Sequence, residues 1–141
     1  MSANGIRPEA AADLGRLVLR VSLGALILLH GIAKIVAGPG AITGLVAKAG
    51  FPPSLGYLVY LGEVAAPILL ILGLWTRAAA FVVAINMAVA VMLVHRADIL
   101  SLTKTGGWAI ELQAMYLLAA IAVALLGGGR FSLGGRHGRW N

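Results

Sequence analysis

His30, Lys34, Glu63, His95, Glu111 and Gln113 are the side chains with chemistry to offer in a sequence otherwise dominated by apolar residues. Imidazoles and carboxylates exchange protons, and an ammonium and a primary amide donate hydrogen bonds to carbonyl or anionic oxygens. Together they could bind a small polar ligand or hand it protons. The same residue types can ligate a divalent metal, but they are scattered over four separate stretches with no metal-motif spacing, and we expect no metal. Two imidazoles raise a bis-histidine haem, which their different depths in the bilayer disfavour. There is no cysteine, which removes thiolate nucleophiles, iron–sulfur ligation and dithiol exchange. Phosphate loops, dinucleotide fingerprints, zinc-protease helices and serine elbows are absent as well.

The elements that must position these residues follow from composition. Of 141 residues, 60% are hydrophobic and only 11% charged, with a mean hydropathy of +0.95. A soluble domain of this size needs about a quarter charged residues to cover its surface, so the apolar excess faces lipid. Spanning helices need about 20 mostly apolar residues. Four stretches qualify, at about Leu14–Ala37, Ser54–Trp75, Ala78–Val94 and Trp108–Leu126. Gly38-Pro39-Gly40, Pro52-Pro53, Thr76-Arg77, Gly106-Gly107 and Gly127-Gly128-Gly129 punctuate them. The expected fold is an all-α integral membrane four-helix bundle. A tail over 1–13 precedes one transmembrane domain over 14–127, and a basic tail over 128–141 follows. Ala41–Ala49 reads as a short helix lying along the interface.

A cleaved signal peptide would also place arginines ahead of the first apolar run. That run is too long for a signal core, and it continues through His30 and Lys34. Arg7, Arg16, Arg20, Arg77, Arg130, Arg136 and Arg139 fall on one side of the bundle, against Lys34, Lys48, Arg96 and Lys104 on the other. The bias puts both termini in the cytoplasm. The net charge of +6 is that of helix ends meeting anionic headgroups rather than of a nucleic-acid surface.

Ionisable residues inside spans are costly and need a partner or a purpose. At about 1.5 Å per residue, His30 lies roughly 10 Å below the outer end of the first helix, with Lys34 one turn above it. Glu63 lies about 13 Å down the second helix. His95 closes the third, and Glu111 and Gln113 open the fourth. All six are expected to converge in the outer half of the bundle. Each also has a plainer role. Lys34 can snorkel, His95 can sit at the interface, Glu111 can complement a helix dipole, His30 can be a packing residue, and Glu63 can form a structural ion pair with Lys34. Arg20 reads as snorkelling and Asn86 as interhelical glue. Met87, Met92 and Met115 read as apolar filler. Pro67 lacks an N–H, so it leaves the Glu63 carbonyl without its helical partner.

Through these residues the sequence resembles the DoxX family of small bacterial membrane proteins. The resemblance rests on His30-Gly31-Ile32-Ala33-Lys34, Gly62-Glu63, Gly73-Leu74-Trp75-Thr76-Arg77-Ala78-Ala79, His95, Gly107 through Glu111, and Gly129-Arg130-Phe131-Ser132-Leu133. Gly134 departs from the family's usual Asp, and Pro67 from its usual small residue. The resemblance implies a multi-pass protein of the bacterial inner membrane associated with redox metabolism. One branch looks like the small subunit of a thiosulfate:quinone oxidoreductase, and other members look like membrane partners of soluble redox enzymes. Three functions stay open. One is a subunit of a quinone-linked oxidoreductase, with quinone or a small polar ligand at the polar cluster and a soluble enzyme, a second membrane subunit or a further copy as partner. The others are a non-catalytic anchor or assembly module and a small-solute carrier. No cofactor motif points to a complete enzyme in this chain.

Overall fold

The computed structural model describes residues 7–136, 138, 140 and 141. Arg139, counted above among the tail arginines, lies outside the described residues, as do residues 1–6. Helix α1 runs Pro8–Ala37. It begins six residues earlier than hydropathy alone places the first span. Pro8 supplies the fixed φ of a first helical position, Glu9 complements the dipole, and three alanines follow. At about 1.5 Å per residue α1 is about 45 Å long, enough to cross the hydrocarbon and extend beyond it.

The second span is segmented. Pro52-Pro53 opens a 3-10 turn over Pro53–Leu58, a π-turn occupies Leu61–Ala65, and α3 covers Ala66–Leu72. The short helix α2, Gly40–Lys48, packs on the 3-10 turn, where Gly56 lies against Thr43. Helix α3 stops on left-handed Gly73 (φ 70°), with Leu74 N–H donating to Leu69 O and Gly73 N–H reaching Leu70 O. These bonds satisfy its last carbonyls. Trp75 then adopts φ 46°, unusual for a bulky residue, and α4 starts at once, over Thr76–Val94. A turn this short makes α3 and α4 antiparallel.

Helix α5 covers Glu111–Leu126, three residues shorter at its start than expected. Trp108 is instead held in the preceding loop, bridged to Leu102 and donating its indole N–H to Ile99 O (2.7 Å). Among the described residues, the helices long and apolar enough to cross a membrane are α1, the composite Pro53–Leu72, and α4; α5 is shorter but equally apolar. The all-helical fold and its apolar surface place the protein in a lipid bilayer.

Packing is between α4 and α5 and between α1 and α3, joined along α3–α4. One core holds them: Leu23 and Ile27 of α1, Leu70 of α3, Ala80, Val83 and Met87 of α4, and Ala120 and Val123 of α5. Small residues let the backbones approach, as in other membrane bundles. Large apolar side chains cover the outside instead, among them Leu29 and Val36 on α1, Phe81 and Met92 on α4, and Met115 and Leu125 on α5. That inverted pattern suits lipid.

Candidate functional site

Glu63 lies in the π-turn, where the extra residue per turn rotates its side chain into the bundle. It is buried, and its carboxylate accepts both an ion pair from Lys34 Nζ of α1 and a hydrogen bond from Asn86 Nδ2 of α4 (3.3 Å). Tyr60 O–H reaches the Lys34 carbonyl at 3.4 Å. Three segments therefore meet on one carboxylate. Glycines make this possible. A Cβ at Gly31 would stand 2.1 Å from the Glu63 carbonyl oxygen, and one at Gly62 would stand 2.5 Å from Asn86 Cβ. The carbonyl that Pro67 leaves without an N–H is thus the one α1 packs against.

The other expected site residues sit elsewhere. His95 Nε2 lies 3.0 Å from Gln113 Nε2 and its Nδ1 lies 3.4 Å from Asp98 Oδ2. With the Gln113 amide donating to Nε2, the ring proton is placed on Nδ1, toward Asp98. His30 is exposed on the bundle's outer surface, with its ring edge-on to Tyr116 of α5 (centroids 6.0 Å apart, 74° between planes). Glu111 is exposed, and its carboxylate folds back over Gly107. The expected single convergence of all six is therefore divided among the described contacts. Lys34 and Glu63 meet, His95 and Gln113 meet, and His30 and Glu111 stand apart from both pairs. Register is the reason: Asn86, which meets Glu63, lies nine residues before His95, or about 13 Å along α4. Among the described residues, no three histidine or carboxylate side chains gather as a metal site.

A second polar assembly, at the opposite end of the bundle, went unread in the sequence. Asp13 is fully buried in α1, paired with Arg16 (3.0 Å) and Arg136, and it accepts the Arg130 backbone N–H (3.3 Å). The bond and charge of Asp13 raise the Arg136 pKa above its ordinary value. Arg20 does not snorkel. Its side chain is buried, and its guanidinium donates to the carbonyls of Leu70 and Ile71 (both 2.7 Å) and Phe131 (2.6 Å). Asn141 is buried too. Its Oδ1 accepts from Thr76 N–H (3.2 Å) and Thr76 O–H (2.6 Å), and its Nδ2 donates to Ser132 Oγ (2.7 Å) and Gly135 O (2.6 Å). The basic segment after α5 is thus folded onto the bundle and caps the start of α4. The faint signal for this was an Asp immediately before the first apolar run and a glycine-rich run ahead of Arg130-Phe131-Ser132.

The DoxX family profile matches residues 15–96, from α1 to just past the end of α4. An uncharacterized protein of Haemophilus influenzae is 34% identical over 118 residues, covering 82% of this chain and 84% of its own length. No solved structure matches.

Proposed function

We propose, since the chain belongs to the DoxX family, that it is a four-helix inner-membrane subunit of a redox system with both termini in the cytoplasm. In this reading the Lys34–Glu63–Asn86 cluster binds a quinone head group or another small polar ligand. The fourth crossing is α5, and the arginine excess at the tail end sets the orientation.

The observation that carries this reading is the ion pair at the π-turn. Such turns recur at functional sites, and this one presents a charged pair whose two members differ in access. Glu63 is sequestered, its side chain 3% exposed, whereas the Lys34 side chain is 35% exposed. The Lys34 ammonium keeps donor capacity beyond Glu63, which suits a quinone carbonyl. A bound quinone would supply two-electron redox chemistry. This chain's part is to hold the ring oxygen at Lys34, to keep Lys34 oriented through Glu63 and Asn86, and to exclude water from the carboxylate. Glu63 holds Lys34 in place as its ion-pair partner, whereas His30, one turn below, packs edge-on to Tyr116 of α5.

One observation favours a second reading, the non-catalytic anchor: Lys34 and Asn86 already satisfy Glu63 without any ligand. A short-tailed benzoquinone titrated into the purified full chain separates the two. The redox reading expects saturable binding that Lys34→Met and Glu63→Gln each weaken at least tenfold while His30→Ala leaves it unchanged. Folded wild-type protein that binds no quinone leaves the anchor. Solute flux into liposomes that Glu63→Gln abolishes would point to a carrier instead.

A further inference from the structure

The tail end of the bundle carries two hollows on either side of one short segment. The first is a cavity of about 410 Å³ of mixed character, whose lining includes Arg16, Arg77, Arg136, Glu9, Leu126 and Asn141. The second is an apolar groove of about 340 Å³ lined by Leu61, Ala65, Leu69, Trp75, Val82 and Trp140. Trp140 lines the groove and its neighbour Asn141 lines the cavity. Likewise Arg77 faces the cavity while Ala78 faces the groove.

Arginines outnumber side-chain carboxylates around the cavity. Arg7, Arg16, Arg20, Arg77, Arg130 and Arg136 sit at this end with only Glu9 and Asp13 as side-chain carboxylates among the described residues. Asp13 is already shared between Arg16 and Arg136, and the two terminal nitrogens of Arg20 are spent on carbonyls. Arg77 gives its Nε to the main-chain oxygen of Asn141 (3.2 Å) and makes no ion pair with a side-chain carboxylate among the described residues. The Nε atoms of Arg16 and Arg20 are both buried without a hydrogen-bond partner, and Arg16 is the one that lines the cavity. Such an arrangement costs free energy unless something supplies an acceptor. Arginine forks match the paired oxygens of a phosphate. Beside them, Trp75 and Trp140 stand exposed at the groove, tryptophan being the residue that settles at the headgroup level of a bilayer.

We propose that these two hollows form one binding site for an anionic glycerophospholipid, with the headgroup phosphate in the arginine cavity and an acyl chain along the groove. An anion alone would leave the groove without a purpose, and an uncharged lipid would leave the arginines so. The arginine cavity lies at the end of the bundle opposite the Lys34–Glu63 pair. The groove runs from there up to Leu61 and Ala65 on the outer side of the π-turn, and neither depends on the quinone reading. The strained backbone of Trp75 fits the same picture, because a left-handed residue at the α3–α4 turn is what puts its indole on the groove.

Thermal unfolding of the detergent-purified full chain tests this with three probes: dioleoyl phosphatidylglycerol, phosphatidylcholine with the same chains, and inorganic phosphate. Phosphatidylglycerol is expected to raise the Tm saturably, and the other two are not. Arg77→Gln should weaken the phosphatidylglycerol response roughly fivefold. Ala65 is exposed, so Ala65→Phe fills the groove without entering the core and should weaken it too. Arg96→Gln, at the other end, should respond as wild type. Equal shifts from both phospholipids, or an unchanged titration in Arg77→Gln, would overturn the site. An equal shift from inorganic phosphate would overturn the lipid assignment, as would an Ala65→Phe variant that titrates like wild type.

Discussion

Gly31 packs directly on the main-chain oxygen of Glu63, so closely that a methyl group there would sit 2.1 Å from it. Helix α1 can approach the π-turn only because residue 31 has no side chain. That approach brings Lys34, one turn along, to the Glu63 carboxylate. Backbone contact and ion pair are thus two consequences of one glycine.

Gly31→Ala should therefore force α1 away from the π-turn and loosen the ion pair with it. Overpacking of this kind costs about 1–3 kcal/mol. Unfolding of the detergent-solubilised protein measures the loss. A neutral substitution would mean that the two backbones are not in fixed contact.

Lys34 and Glu63 should be coupled in a double-mutant cycle. Removing one partner strands the other charge, a cost of about 3–5 kcal/mol for a fully buried pair. Partial exposure of Lys34 lowers it, so Glu63→Gln alone should lose about 2 kcal/mol. The combination of Lys34→Met with Glu63→Gln should lose less than the sum of the single changes. Strict additivity of the two in unfolding experiments would show that the pair contributes nothing to stability.

Arg20→Leu should be among the most damaging single changes at the tail end. It removes the donors to the Leu70, Ile71 and Phe131 carbonyls and leaves those acceptors buried. We expect about 3 kcal/mol of destabilisation, together with faster proteolysis of the segment after α5. Arg20→Lys, with a single compact ammonium, should recover part of the loss. Equal stability of Arg20→Leu and wild type would return Arg20 to the role of a snorkelling surface residue.

Asn141→Ala should fray the start of α4. Its side-chain oxygen satisfies the Thr76 N–H and O–H, a capping role worth about 1 kcal/mol. Hydrogen exchange of the Thr76 amide should quicken about fivefold. Unchanged exchange there would mean that Asn141 is not the cap.

Much of this was legible along the chain. Lys34 and Glu63 stood out because charge inside apolar sequence is expensive wherever it occurs, and Pro67 marked the Glu63 carbonyl as irregular before any π-turn was visible. Asn86 announced itself as interhelical glue, though not as the partner of Glu63. Arg20 misled, because a long cation near a helix end looks the same whether it reaches for headgroups or for the carbonyls of a neighbouring turn. Asp13 looked like part of a solvated tail. It is buried only because the segment around Arg130 and Arg136 folds back on it, over a sequence separation no local pattern spans.

The sequence alone determined that this protein lives in lipid, where its helices break, and which charged residues must find partners. Transfer into a bilayer is close to a sum over neighbouring residues, so it can be read window by window. Tertiary structure decided who pairs with whom. Glu63 goes to Lys34 and Asn86 rather than to His95, and Arg20 goes to carbonyls rather than to water. Those choices depend on the rotation and axial register of each helix against the others, fixed here by Gly31, Gly62 and the extra residue of the π-turn.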